Sequence, residues 1–260
     1  AIIRLIRVNM TKIIAVVNQK GGVGTTTTAI NVAAQLAEKS SVLIIDLDPQ
    51  GNATSGLGIA KETAKFTTYD VLCNGALLSD AIHQSHVAQL FVLPANINLA
   101  GAEVELVSQK YREFALKSAI TNAAYDYIII DCPPSLGLLT INGLSAANLV
   151  LIPVQAEYYA LEGLSQLLNT IQAVRGSTNP SLELLGIVLT MYDKRNSLSE
   201  QVQAEVQNYF GDKLFKTVIP RNVRLAEAPS FGKTIYEHDR WSKGSRAYKS
   251  LSKEVRERTS

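Results

Sequence analysis

Seven apolar runs of strand length punctuate the chain: KIIAVVN (12–18), SVLIIDLD (41–48), LFVLPA (90–95), YDYIIIDCPP (125–134), ANLVLIPVQ (147–155), ELLGIVLTMY (183–192) and FKTVIP (215–220). Ile, Val and Leu fill consecutive positions in them rather than alternate ones. A strand covered on both faces reads this way, because neighbouring side chains point to opposite sides of the sheet. Between the runs the apolar period lengthens to that of a helix. Residues 26–39 are rich in Ala and Thr. Leu161, Leu164, Leu167, Leu168, Ile171 and Val174 share one helical face, and Val202, Val206, Tyr209 and Phe210 share another. Strand and helix patterns alternating along the whole chain predict an α/β fold: a doubly wound, mainly parallel sheet with helices on both faces.

Composition narrows the class without changing that picture. The 260 residues are 47% hydrophobic and 18% charged, enough for a large core. No Pro-, Gly- or Ser-rich linker and no repeat interrupts the pattern, so residues 12–260 are expected to form one domain. The opening AIIRLIRVNM is apolar but broken by Arg4 and Arg7. Residues 1–11 are expected to be an N-terminal extension or remnant with Met10 as a natural start, the alternatives being an extra edge strand or a membrane-surface arm. A net charge of +2 demands no polyanionic partner, so any basic surface must be local. Cys73 and Cys132 lie far apart without metal-ligand spacing, which argues for a reducing, cytoplasmic compartment. No apolar run approaches the ~18 residues of a spanning helix.

Ligands of a doubly wound sheet bind outside the carboxyl ends of its strands, and three loops there carry candidate chemistry. The first is KGGVGTTT, from Lys20 through Gly21, Gly22, Val23, Gly24, Thr25 and Thr26 to Thr27. Its glycines let the backbone approach an anion, and its amides, with a helix starting near Thr26, suit the phosphates of a nucleotide. The Thr26 hydroxyl suits Mg²⁺. The second loop places Asp46 and Asp48 at the end of a buried strand. Carboxylates there are costly unless they meet a cation or ordered water. Asp48 is the candidate for positioning an attacking water, and Asp46 is expected near the Mg²⁺ shell. The third, YIIIDCPPSLG, ends a strand in Asp131, which reads as an aspartate contacting Mg²⁺ through water.

The first loop departs from the standard phosphate loop G-x-x-x-x-G-K-[ST]. Gln19 stands where the first glycine belongs, and Thr25 takes the lysine position. KGGVGxTT instead resembles the deviant Walker A loop of the ParA/MinD-type P-loop ATPases, whose additional signature lysine corresponds to Lys20. VIPRNVRLAEAPSFGKTI (218–235) and IPVQAEYYALEGL (152–164) resemble the chromosomal ParA proteins, also called Soj, and the likeness runs from about residue 12 to 258. That resemblance implies an ATPase using ATP/ADP and Mg²⁺, an ATP-dependent homodimer, nonspecific binding to double-stranded DNA, a ParB-type partner that stimulates hydrolysis, and a place on the nucleoid. It further implies that Pro220 and Asn222 border the adenine, that Lys20 reaches the phosphates of the other subunit, that QAEYYALEG is a nucleotide-sensitive switch, and that Arg195 contacts DNA. Other late basic residues, Arg221, Arg224, Lys233 and Arg246, are candidates for the same phosphate contacts, which would be sequence-independent.

Two further readings stand beside that one. With threonine at the lysine position, the charge that helps neutralise the transferring phosphoryl group is missing, so hydrolysis is expected to be impaired. A nucleotide-linked DNA-binding regulator with little turnover is therefore a second reading. A MinD-like membrane-positioning ATPase is a third. The tail YKSLSKEVRERTS offers only Leu251 and Val255 as sizeable aliphatics, a poor membrane anchor.

Overall fold

The computed structural model describes residues 10–157 and 160–260, the side chains of 161 and 162 aside. Residues 1–9 of the expected extension, the side chain of Leu161 and the two tyrosines of QAEYYALEG lie outside the described residues.

Alternation within the apolar runs sorts their side chains to two faces. From β1 (Lys12–Val16), Ile14 and Val16 point to one side and Ala15 to the other. β2 (Val42–Asp46), β5 (Tyr127–Asp131), β6 (Leu149–Gln155) and β7 (Glu183–Thr190) divide in the same manner. One face packs on the helices Thr25–Ala37 and Lys243–Arg258. The other packs on Leu99–Glu105, Leu138–Ala146, Ala160–Ser177 and Ser197–Phe210. With β3 (His83–Gln84) and β4 (Leu90–Leu93), the strands form one sheet in the order β3-β4-β2-β5-β1-β6-β7. All neighbours are parallel except β3 and β4. The predicted doubly wound sheet is therefore present.

Strand order places the site. The chain leaves β1 towards β2 on one side and later crosses from β5 to β6 on the other, so the direction of winding reverses around β1. The crevice that this opens lies at the carboxyl end of β1. Register then brings the acidic ends together: Asp46 of β2 and Val16 of β1 both stand level with Asp131 of β5.

Three expectations need correction. FKTVIP is not a strand. Phe215 and Ile219 do donate their amides to Ile187 and Leu189 of β7, but the amides of Lys216 and Thr217 between them are taken by the Glu254 carboxylate, which interrupts the ladder. Tyr209 does not join Val202 and Val206 in the core. It is exposed, and its ring lies against Phe210. The two-residue edge strand β3 carries no apolar run and was not expected. The tail helix Lys243–Arg258 buries Tyr248, Leu251 and Val255 against the helix Thr25–Ala37, so its apolar stripe belongs to the core. Among the described residues no helix is long and apolar enough to cross a membrane.

Candidate functional site

Beyond β1 the chain turns through Asn18, whose side chain donates to the Pro153 carbonyl (2.6 Å) and accepts from the Lys20 amide (3.0 Å). Gly22 and Gly24 then adopt left-handed conformations, φ 77° and 90°, where a side chain would be strained. Gly24 caps the helix Thr25–Ala37 with no side-chain hydrogen bond, and the first turn holds no acid. Its amides are thus left for a ligand, at the positive end of the helix dipole. They open on a cleft of about 440 Å³, bordered by Lys20, the three glycines, Thr25, Thr26 and Thr27 on one side and by Asp48, Gln50 and Pro134 on the other. Val23 is buried behind the loop, outside this lining.

The three aspartates have different surroundings. Asp131 is wholly buried, and neither carboxylate oxygen has a hydrogen-bond partner of normal geometry. Burial raises its pKa well above the usual carboxylate range. The neighbouring Asp46 and Asp48 charges add to this, and the Thr26 hydroxyl on that side opposes it. A buried acid with two open oxygens beside a hydroxyl and a ring of free amides fits a cation shared with a bound anion. Among the described residues no three His, Cys, Asp or Glu groups converge into a cage. A cation held here would draw on Thr26, water and the ligand's own oxygens, the habit of Mg²⁺.

Asp46 differs from expectation. Its Oδ2 accepts from the Thr54 amide (2.9 Å) and the Thr54 hydroxyl (2.7 Å), and its Oδ1 from the Asp48 amide (3.1 Å). Burial pushes its pKa up to about 6, against the pull of those donors. Both oxygens are spent on the protein, and Asp46 does not border the cleft. It organises the loop that carries Asp48 and stands level with Asp131. Asp48 does border the cleft, with its Oδ1 receiving the Gln50 amide.

Lys20 is the one cation bordering the cleft among the described residues, and it is half exposed. Its Nζ is paired with Glu157, just past the end of β6. A second cavity of about 340 Å³ adjoins the first through Gly24, Thr27 and Met191. Ile219, Pro220, Val223 and Leu225 give it apolar walls, and Asn222, whose Oδ1 caps the helix Val223–Glu227, stands at its edge. Next to the polar loop this is the more apolar of the two cavities. The expected DNA residues are only partly brought together. Arg195 and Arg221 join Lys194 and Lys243 around a third cavity of about 660 Å³, but Arg195 is held by both oxygens of Asp193. Arg224 is paired with Glu227. Lys233 and Arg246 are exposed and lie outside that lining.

Sequence reasoning passed over Thr54, Glu157 and Met191. Thr54 stands eight residues beyond Asp46 in a polar loop and gives no signal. The positive φ of Met191 (50°) is invisible in the sequence.

A protein-family profile described as an AAA domain matches residues 11–184. The sporulation initiation inhibitor protein Soj of Bacillus subtilis is 57% identical over 249 residues, covering 95% of this chain and 98% of that protein. The chromosome partitioning protein ParA of Myxococcus xanthus is 53% identical, covering 95% and 88%. Among solved structures, one from Mycobacterium smegmatis described as cobyrinic acid a,c-diamide synthase, with bound ATP analog and magnesium, superposes with a TM-score of 0.83 at 41% identity, covering 94% of this chain and 93% of that one. That description differs from the partition proteins, but its identity to this chain is lower than theirs. Likeness at this level along nearly the whole chain shows membership: the chain belongs to the ParA/Soj family of chromosome-partitioning proteins.

Proposed function

We propose that the chain is a DNA-segregation ATPase that binds ATP or ADP with Mg²⁺ in the cleft at the end of β1. In this reading it dimerises with ATP, binds double-stranded DNA without sequence preference, and responds to a ParB-type partner. The observation that carries the nucleotide site is Asp131, a buried acid with both oxygens open beside the uncapped start of the helix Thr25–Ala37. The loop amides would cradle the phosphates, Asp48 would orient water, and Pro220 and Asn222 would border the base. Thr26, and Asp131 through water, would hold Mg²⁺, which when bound neutralises phosphate charge. Lys20 would exchange Glu157 for the phosphates of the other subunit's nucleotide on dimerisation.

Thr25 qualifies the activity. A lost charge-assisted hydrogen bond costs roughly 1.5–3 kcal/mol, about 10- to 150-fold in affinity. The loss for hydrolysis is larger, because the charge matters most in the transition state. That residue is also the observation favouring the second reading, a nucleotide-linked DNA-binding regulator with little turnover. The burial of Leu251 and Val255 in the core gives the membrane-positioning reading no support.

Nucleotide titration in Mg²⁺ with molar mass followed by light scattering tests the proposal. ADP and ATP should both saturate the protein, and only ATP should yield a dimer, with Lys20→Ala losing the dimer while keeping ADP. A chain that binds neither nucleotide overturns the site. Tight nucleotide binding without turnover, even with DNA and a ParB-type protein present, selects the regulator.

A further inference from the structure

Thr190 ends β7 and touches the phosphate loop from behind. Its hydroxyl donates to the Val23 carbonyl at 2.7 Å, and both residues are almost completely buried. Neither borders the cleft, whereas Gly24, the next residue of the loop, does. A trans peptide is planar, so the Val23 carbonyl and the Gly24 amide share one plane and point in opposite directions. Fixing the carbonyl against Thr190 therefore aims the Gly24 N–H at the cleft. That amide donates to no acceptor among the described residues. Gly24 has the conformational freedom to turn otherwise, since its left-handed φ of 90° reflects a residue without a Cβ.

The surroundings of Thr190 anchor it as a fixed point. Its carbonyl accepts the Ala156 amide at 3.2 Å, beside the Glu157 that pairs with Lys20. Its methyl group would lie in ordinary contact, 3.9 Å, with a Cβ placed on Gly24. The following residue, Met191, is held in a left-handed conformation and borders both the phosphate cleft and the apolar pocket beside it.

We propose that Thr190 is a positioning residue of the nucleotide site: through the Val23 carbonyl it orients the Gly24 amide towards the bound phosphates. This rests on the reading of the cleft as a nucleotide site. Without the hydroxyl, the buried Val23 carbonyl loses its partner and the peptide is free to rotate, taking the amide from the ligand.

The test uses the full chain and a fluorescent ADP analogue with Mg²⁺. Thr190→Val keeps the shape and removes the donor, and its affinity should fall by about tenfold or more, the scale of one lost hydrogen bond to a charged group. Thr190→Ser keeps the donor and should bind within about threefold of the parent, a difference smaller than half a decade. A merely structural role would lower the melting temperature of the nucleotide-free variants but would not separate valine from serine in affinity. If Thr190→Val does not fold, Thr190→Cys, a near-isostere with a weak donor, takes its place and should also weaken binding. Valine, or cysteine in its stead, binding as the parent does overturns the role of Thr190 alone, as does serine falling as far as valine. A parent that binds no ADP overturns the reading of the cleft and this role with it.

Discussion

Thr25 sits at the first position of the helix Thr25–Ala37 and borders the cleft. It faces a cleft of about 440 Å³, so a lysine there needs no new cavity. Thr25→Lys should raise ATP affinity by about one to two decades, the scale of one charge-assisted hydrogen bond. Stimulated hydrolysis should rise further, since the added charge acts on the phosphoryl group in transfer. Adding Asp48→Ala should keep the tighter binding and abolish turnover. Isothermal titration and steady-state phosphate release measure the two effects, and a Thr25→Lys chain that binds ATP no better than its parent would refute the role of position 25. Arg195 tests the other surface. It is 90% exposed yet already chelated by Asp193, whose carboxyl it holds down to about 2. Phosphate must compete with that partner, so the contact is worth less than a free arginine's. Arg195→Glu should weaken binding to every duplex sequence alike and lower the salt slope by about one. Fluorescence anisotropy on two unrelated duplexes would show a sequence-selective loss if the assignment were wrong.

At the scale of elements, the sequence is most informative where an element is long and buried. The runs that became β1, β2, β5, β6 and β7 are legible because both faces of a parallel sheet demand aliphatics, and the glycine loop is legible because left-handed turns at Gly22 and Gly24 demand glycine. FKTVIP misleads because its apolar content serves a different partner. Phe215 and Ile219 fill the core, while Glu254, about forty residues on, takes the Lys216 and Thr217 amides and the Thr217 hydroxyl. A single remote carboxylate converts a strand pattern into an irregular segment, and no local periodicity records it. Glu254→Ala should therefore cost about 1–3 kcal/mol, the penalty of leaving partly buried donors without an acceptor. Urea unfolding measures it, and a midpoint unchanged from the parent would mean that water replaces the carboxylate. The hydrogen bonds of Asp46 are hidden for a similar reason. Its position at a strand end is visible in the sequence, but its capture by Thr54 depends on how the loop folds back.

The molecule as a whole sets the proposed cation site against its own stability. Asp46 and Asp131 stand side by side at the ends of β2 and β5, both without exposure, and both bind protons more tightly in the folded chain than in the unfolded one. As pH rises, the unfolded chain releases these protons first. The stability they contribute is therefore complete below about pH 4, where a free aspartate titrates, and is lost as pH climbs through the folded values, about 6 for Asp46 and likewise raised for Asp131. For Asp46 the loss is on the order of 3 kcal/mol, at about 1.4 kcal/mol per unit. Its donors limit that cost, whereas Asp131 has no compensating hydrogen bond of normal geometry. Once Asp131 loses its proton, the nucleotide-free protein thus holds a buried charge with no hydrogen-bond partner of normal geometry. Asp131→Asn removes the charge with little change of shape. It should melt a few degrees above the parent at pH 8 without nucleotide, since about 1 kcal/mol moves the midpoint of a domain of this size by roughly 2–4 °C. At pH 5, where the parent's Asp131 holds its proton more fully than at pH 8, the advantage should shrink. With saturating Mg²⁺ and ADP the order should reverse, because ligand stabilisation scales with affinity and the variant has lost the group proposed to hold the cation. Scanning calorimetry at the two pH values, with and without ligand, reads all of this. Equal melting temperatures at pH 5 and 8 would show that Asp131 is already neutral across the range, and an Asp131→Asn chain stabilised by Mg²⁺ and ADP as strongly as its parent would remove the acid from the cation site.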